Sequence, residues 1–285
     1  MTNDQSQDFR FSSIEEWRAF FSPYSHIVLI GNSEAAQPEQ LLQTYPPATL
    51  FVFFNKVYKV LDSGFDAPCL LIARSGMMGA NIVHRREVAD VLKFFQTERF
   101  LGIVNVRVDG SEALSPTSAF NGATVRHLDL RDILGQTYPS GKFATSGFAL
   151  TLWLLGLGLP GKVVLAGFSA KRSDKWKVFD VHDWNFEQIY LAVRARRGDI
   201  AMLGRFEATP IETLIKALPD VAPVEILAEA NEVLARRLDD ANQQIDKLMS
   251  ITKLQRSIYN FFASLKPKTR KQRYLARQGE KKAGG

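Results

Sequence analysis

The chain has 285 residues and a single cysteine, Cys69, so an internal disulfide is excluded and a reducing compartment is expected. Four histidines with that one cysteine cannot build a structural zinc cluster. No Gly-x-Ser-x-Gly elbow occurs, which removes the usual serine-hydrolase arrangement. An Asp-x-Asp pair for holding a metal against a nucleotide is also missing. The opening residues MTNDQSQDFRF lack both a basic region and an apolar region, so no secretory signal is visible and a cytoplasmic location is expected. The longest apolar run, Phe148 to Leu159, has 12 residues and is closed by Pro160-Gly161, too short for a bilayer and suited to a buried helix.

What is present is an ordinary globular composition, 46% hydrophobic and 23% charged. The net charge of +6 is concentrated at one end. From Ile251 to Gly285 ten Lys and Arg face one acid, Glu280, so this stretch carries +9 and residues 1–250 carry −3. A basic whole-chain average therefore says nothing of nucleic acid, and only Tyr274 is interleaved in the basic run, so no nucleic-acid partner is expected.

Three short apolar runs end in polar or small turns: His26–Ile30 in Gly31-Asn32-Ser33, Leu50–Phe54 in Asn55, and Leu70–Ala73 in Arg74-Ser75-Gly76. A fourth, Val163–Ala166, ends in Gly167-Phe168. Continuous β-rich runs of this length are typical of strands buried on both faces. Helical patterns follow at Glu87–Gln96, Ser146–Leu157 and Asn185–Arg197. The alternation predicts an α/β fold with a mostly parallel sheet, whose ligands sit at the carboxyl ends of its strands.

Beyond Pro223 the pattern changes. Val224, Leu227, Asn231, Leu234, Leu238, Ala241, Ile245, Leu248 and Thr252 fall on steps of three and four, an a/d seam with one polar a position. This predicts a coiled-coil helix over 224–252, with a homodimer paired in register through Asn231, or else a helix folded back on its own domain. The organisation expected is thus an α/β domain over 1–222, this helix, and a basic tail over 253–285. Ile258, Tyr259, Phe261, Phe262 and Leu265 precede the cations, a combination suited to an anionic membrane surface.

Individual turns carry ambiguous chemistry. Gly31-Asn32-Ser33 is either a tight turn or a loop approaching a nucleotide, and Asn55 is equally open. Ser75-Gly76-Met77-Met78-Gly79 lacks the first glycine and the acidic partner of a dinucleotide loop. Thr145-Ser146-Gly147 precedes an apolar helix, so Thr145 or Ser146 is its cap, and a helix N-terminus also suits a phosphate or carboxylate. His182 stands just before a helix capped by Asp183 or Asn185, with Glu187 in the first turn. A helix N-terminus disfavours the cationic form of a histidine, which keeps it usable as a base near neutral pH.

Taken in order, Gly31-Asn32-Ser33, Phe54-Asn55, Tyr138-Pro139 leading to Thr145-Ser146-Gly147, Val163–Phe168, and His182 with Glu187 five residues on resemble the sialyltransferase superfamily. The resemblance covers residues 26–198. It implies a GT-A-like α/β fold and transfer of a sugar from a CMP-activated donor, with no further cofactor and no metal. It implies that Asn32 and Asn55 hold the nucleotide and phosphate, that Ser146-Gly147 contact the donor, that His182 is the catalytic base, and that Glu187 closes the His-x4-Glu motif. Arg74 or Lys175 would add positive charge beside the phosphate, and Gly31, Ser33, Ser75 and Thr145 complete the expected donor-binding set. The chain departs from the family in reading Gly-Asn-Ser at the first motif and in having Lys175-Trp176-Lys177 where a tyrosine pair is usual. Kdo and sialic acid therefore both remain as donors, and the acceptor expected is a hydroxyl of a bacterial surface glycan or glycolipid. The competing expectation is a non-catalytic nucleotide-fold scaffold that works through its coiled coil and tail.

Overall fold

The computed structural model describes residues 13–33, 35–76, 81–133, 138–168, 181–204, 215 and 217–265. Two compact units are present, Met1–Arg205 and Phe206–Gly285. Among the described residues no helix is long and apolar enough to cross a membrane.

The first unit is built on seven strands: β1 (His26–Ile30), β2 (Thr49–Phe54), β3 (Cys69–Arg74), β4 (Phe100–Arg107), β5 (Val125–Asp129), β6 (Lys162–Ala166) and β7 (Ala201–Met202). They form one sheet in the order β5-β4-β3-β2-β1-β6-β7, and every pairing is parallel. Among the described residues five α-helices accompany them: α1 (Ile14–Phe21), α2 (Pro38–Thr44), α3 (Val88–Leu92), α4 (Ser146–Gly156) and α5 (Trp184–Arg196). The expected α/β class with a parallel, Rossmann-like sheet is present.

Alternation along each strand divides the core in two. Ile27, Leu29, Leu50, Val52, Leu70, Ile72, Val104 and Leu165 pack with Trp17 and Phe21 of α1, Phe148, Leu150 and Leu154 of α4, and Leu191 of α5. Val28, Ile30, Phe51, Phe53, Leu71, Ala73, Ile103 and Val164 pack on the other side with Leu41 of α2 and with Val88 and Val91 of α3. Helices on both faces explain why these strands read as unbroken apolar runs.

The helix expected over Glu87–Gln96 is shorter, ending at Leu92. Phe94 N–H and Phe95 N–H bond three residues back, to Val91 and Leu92, and the Phe94 carbonyl accepts from Phe65 N–H at 2.9 Å. The chain leaves the helix to bury Phe95 against Phe53, with ring centroids 5.5 Å apart.

From β1 the chain builds outward to β5, then returns to place β6 on the other side of β1. That reversal puts the topological switch point of the sheet at the carboxyl ends of β1 and β6, the place where ligands of open parallel sheets bind. Gly31 N–H bonds to the Ala166 carbonyl at 2.8 Å and locks the two strand ends together.

The second unit contains α6, a 43-residue helix over Pro223–Leu265. It runs without a break past the division expected at residues 252–253. Val224, Leu227, Leu234, Leu238, Ile245 and Leu248 of the seam are all exposed.

Candidate functional site at the carboxyl edge of the sheet

Along the carboxyl edge, polar side chains tie each strand end to the next. Asn32 Nδ2, after β1, donates to the Phe54 carbonyl at 3.0 Å. Asn55 Oδ1, after β2, accepts from Arg74 N–H at 3.0 Å. Ser75 Oγ, after β3, donates to Asn105 Oδ1 of β4. Asn105 Nδ2 meets His127 Nδ1 of β5 at 3.3 Å and the Ser115 carbonyl at 2.9 Å. These bonds satisfy polar groups that the end of a buried sheet would otherwise strand. Asn32 Oδ1 is buried without a hydrogen-bond partner among the described residues.

The glycines of the expected loops answer to packing. Gly167 has φ +75°, open to glycine at little cost, and a Cβ on Gly31 would stand 3.0 Å from its carbonyl oxygen. The Phe168 ring fills the space beside both Gly31 and Gly147, and a Cβ on Gly147 would lie 2.6 Å from it.

The other group of expected residues gathers where α4 and α5 begin. Thr145 is the N-cap of α4, and its Oγ1 accepts from Phe148 N–H at 3.1 Å. No described residue accepts from the Ser146 and Gly147 amides, so two donors remain at that helix end. Asp183, rather than Asn185, caps α5 by accepting from Phe186 N–H at 2.9 Å.

Glu187, 3% exposed, is the hub that binds these ends together. Its carboxylate accepts from Thr145 N–H at 2.7 Å, Thr145 Oγ1 at 2.6 Å and Tyr138 OH at 2.8 Å. Burial pushes its pKa up, against the pull of those Thr145 and Tyr138 bonds. Tyr138 OH also receives Asp183 N–H at 3.2 Å. Burial, and then the Glu187 carboxylate, push the Tyr138 phenol upward, so it stays a protonated donor. Both Glu187 oxygens are thus occupied by the frame that joins the α4 cap to the start of α5.

His182 Nδ1 lies 2.7 Å from the Phe143 carbonyl. A carbonyl only accepts, so Nδ1 carries the proton and Nε2 keeps its lone pair. Burial lowers the His182 pKa and the Arg74 charge adds to this, while the Phe143 bond and the Glu112 carboxylate oppose it. Desolvation is thus the leading cause that moves the imidazole further toward its neutral form, a cause that the helix-end argument from sequence did not identify. Trp184 meets its ring edge to face at 5.3 Å.

Arg74 connects the two groups. Its Nε bonds Glu112 Oε1 at 2.6 Å and its NH1 bonds the Ala144 carbonyl at 2.7 Å, directly before the α4 cap. The remaining NH2 has no described partner. Glu112 is held in turn by Val108 N–H at 2.7 Å. Sequence reading missed Glu112 because it follows β4, a strand that was itself not recognised. Ser33, Ser75 and Asn55 lie at the ends of β1–β3, whereas Lys175 lies outside the described residues. Among the described residues no group of three His, Cys, Asp or Glu side chains could hold a metal ion.

No protein-family model, curated protein or solved structure matches this chain.

Proposed function

We propose that the protein is a glycosyltransferase that moves an ulosonic acid, Kdo or sialic acid, from a CMP donor to a hydroxyl of a bacterial surface glycan or glycolipid. The observation that carries this reading is His182: a neutral imidazole with Nε2 free, electrostatically coupled to Arg74. In the reaction the acceptor oxygen attacks the anomeric carbon while His182 Nε2 takes its proton. The bond from that carbon to the phosphate oxygen breaks, and CMP leaves with the electron pair. Arg74 NH2 and the Ser146 and Gly147 amides offer donors for the phosphate charge, supported by the positive end of the α4 dipole. Asn32 and Asn55 border the same edge and would face the nucleotide. The motif order of the sialyltransferase superfamily and a GT-A-like reading of the parallel sheet support the same conclusion. CMP release measured with CMP-Kdo and CMP-sialic acid tests it. Turnover of one donor is expected, and no release from either with any glycan acceptor would remove the reading.

A second reading, a non-catalytic scaffold, is favoured by one observation. Gly31, Gly147, Asn32 and Asn55 each have a structural duty that needs no ligand. CMP binding separates the two, since a scaffold with this edge filled by its own side chains would not bind the nucleotide.

For the tail over 253–285, whose residues 266–285 lie outside the described ones, the proposal is peripheral attachment to the cytoplasmic face of a membrane. Eight cations lie between Lys266 and Lys282, each worth about 1 kcal/mol near an anionic surface. Co-sedimentation with anionic liposomes should weaken in high salt and vanish on truncation at Ser257.

A further inference from the structure

The seam of α6 is exposed along one face of the helix. Val224 is 69% exposed, Leu238 62% and Leu248 64%, and they line one seam with Leu227, Leu234 and Ile245. Six large apolar side chains on one stripe of a helix call for a second helix. The same steps of three and four continue past Thr252 to Gln255, Tyr259 and Phe262, so the seam runs nearly the whole length of α6.

Charge along α6 is polarised. Residues 223–242 hold five acids (Glu225, Glu229, Glu232, Asp239, Asp240) against Arg236 and Arg237. Residues 244–265 hold Lys247, Lys253 and Arg256 against Asp246 alone, and the eight tail cations follow. Of the e and g positions from Ala228 to Gln244 only Arg237 is charged, so the summed charge of each half sets orientation in place of ion pairs at those positions. Two parallel copies would lay acidic half on acidic half and bring both basic tails together. Two antiparallel copies lay each acidic half on the partner's basic half.

The seam then selects a register. In an antiparallel pair an a residue faces a d residue of the partner. With the twofold axis at Gln243, Asn231 meets Gln255, Leu238 meets Leu248, Ala241 meets Ile245, Leu227 meets Tyr259, Leu234 meets Thr252 and Val224 meets Phe262. By heptad position the two amide residues fall in one layer and Ala241 pairs with Ile245. Sliding the helices by one heptad sets Asn231 against Leu248 or Phe262, leaving a polar group unpaired in the seam.

We infer that α6 docks on a second copy of this chain as an antiparallel two-stranded coiled coil centred at Gln243. This replaces the in-register pairing expected from Asn231 alone.

The test uses the full chain with a spin label at Glu229→Cys, an exposed outer position. Cys69 can stay, because it is 0% exposed and burial pushes its thiol up to about 12; the labelled wild-type chain is the control. Light scattering at 10 µM should give twice the 32.0 kDa mass of one chain, and Leu238→Asp should return it to one. Glu229 lies 14 residues from the axis, so at 1.5 Å per residue the two labels stand about 42 Å apart along the helices. A distance near that value supports the antiparallel pair. A distance under about 25 Å means parallel pairing and overturns it, as does a single-chain mass at 10 µM.

Discussion

The two ends of the carboxyl edge use polar groups differently. From β1 to β5, Asn55, Ser75 and Asn105 bond one another and backbone, strand to strand, and Asn32 does so through Nδ2 while its buried Oδ1 has no partner among the described residues. Where α4 and α5 begin, the frame of Glu187, Tyr138 and Thr145 is equally saturated, yet it holds groups that keep a free valence: His182 Nε2, Arg74 NH2 and the first amides of α4. Polar residues at a strand end are therefore no guide to chemistry by themselves. The informative ones are those whose partners leave a lone pair or an N–H over.

The largest effect separating the two ends is expected at His182. His182→Ala should lower kcat by about 10²–10⁴-fold, the usual share of general acid–base catalysis, with donor KM nearly unchanged. Near-normal turnover would move His182 to the structural side. Glu187→Ala comes next, in stability. It strands the Thr145 amide and hydroxyl and the Tyr138 phenol, and about 2–4 kcal/mol of unfolding free energy should be lost at the usual cost of buried unpaired groups; denaturant unfolding measures it. Asn105→Ala sharpens the contrast, costing about 1–3 kcal/mol in the same assay while leaving kcat of the folded enzyme unaltered.

pH gives a smaller signal of definite sign. Because the folded His182 pKa lies below 6.5, its ordinary value, kcat/KM should rise with pH through a midpoint below 6.5 and then level off. The unfolded chain binds the proton more readily in that window, so His182 also makes stability rise with pH there and fall as acid is added. A midpoint above 6.5 would mean a carboxylate, not burial and Arg74, dominates the imidazole. The smallest effect is none at all. Donor turnover should survive EDTA, and a strict Mg²⁺ or Mn²⁺ requirement would put the reaction in another class.

Much of the sheet is legible in the sequence. β1, β2, β3 and β6 are buried on both faces, so their sequences are continuous apolar runs. β5 sits at the sheet edge with Arg126 and His127 inside it, β4 is interrupted by Gly102 and Asn105, and two-residue β7 has no pattern to see. The capping box of α1, Ser13 with Glu16, is a local signal that marks the start of that helix. In the site, local sequence narrows the caps to Thr145 or Ser146 and to Asp183 or Asn185, and the structure selects Thr145 and Asp183. The Glu187 hub did not, because its partners Thr145 and Tyr138 lie 42 and 49 residues away. Nor could spacing show that Phe168 explains the glycines at 31 and 147.

Titration with CMP, followed by NMR at backbone amides and at the His182 imidazole, tests the central claim most directly. The account predicts saturable shifts at Ser146, Gly147 and His182, with Arg74→Ala weakening them and Asn105 unmoved. Shifts confined to the β3–β5 brace, or no saturable shift at millimolar CMP, would contradict it.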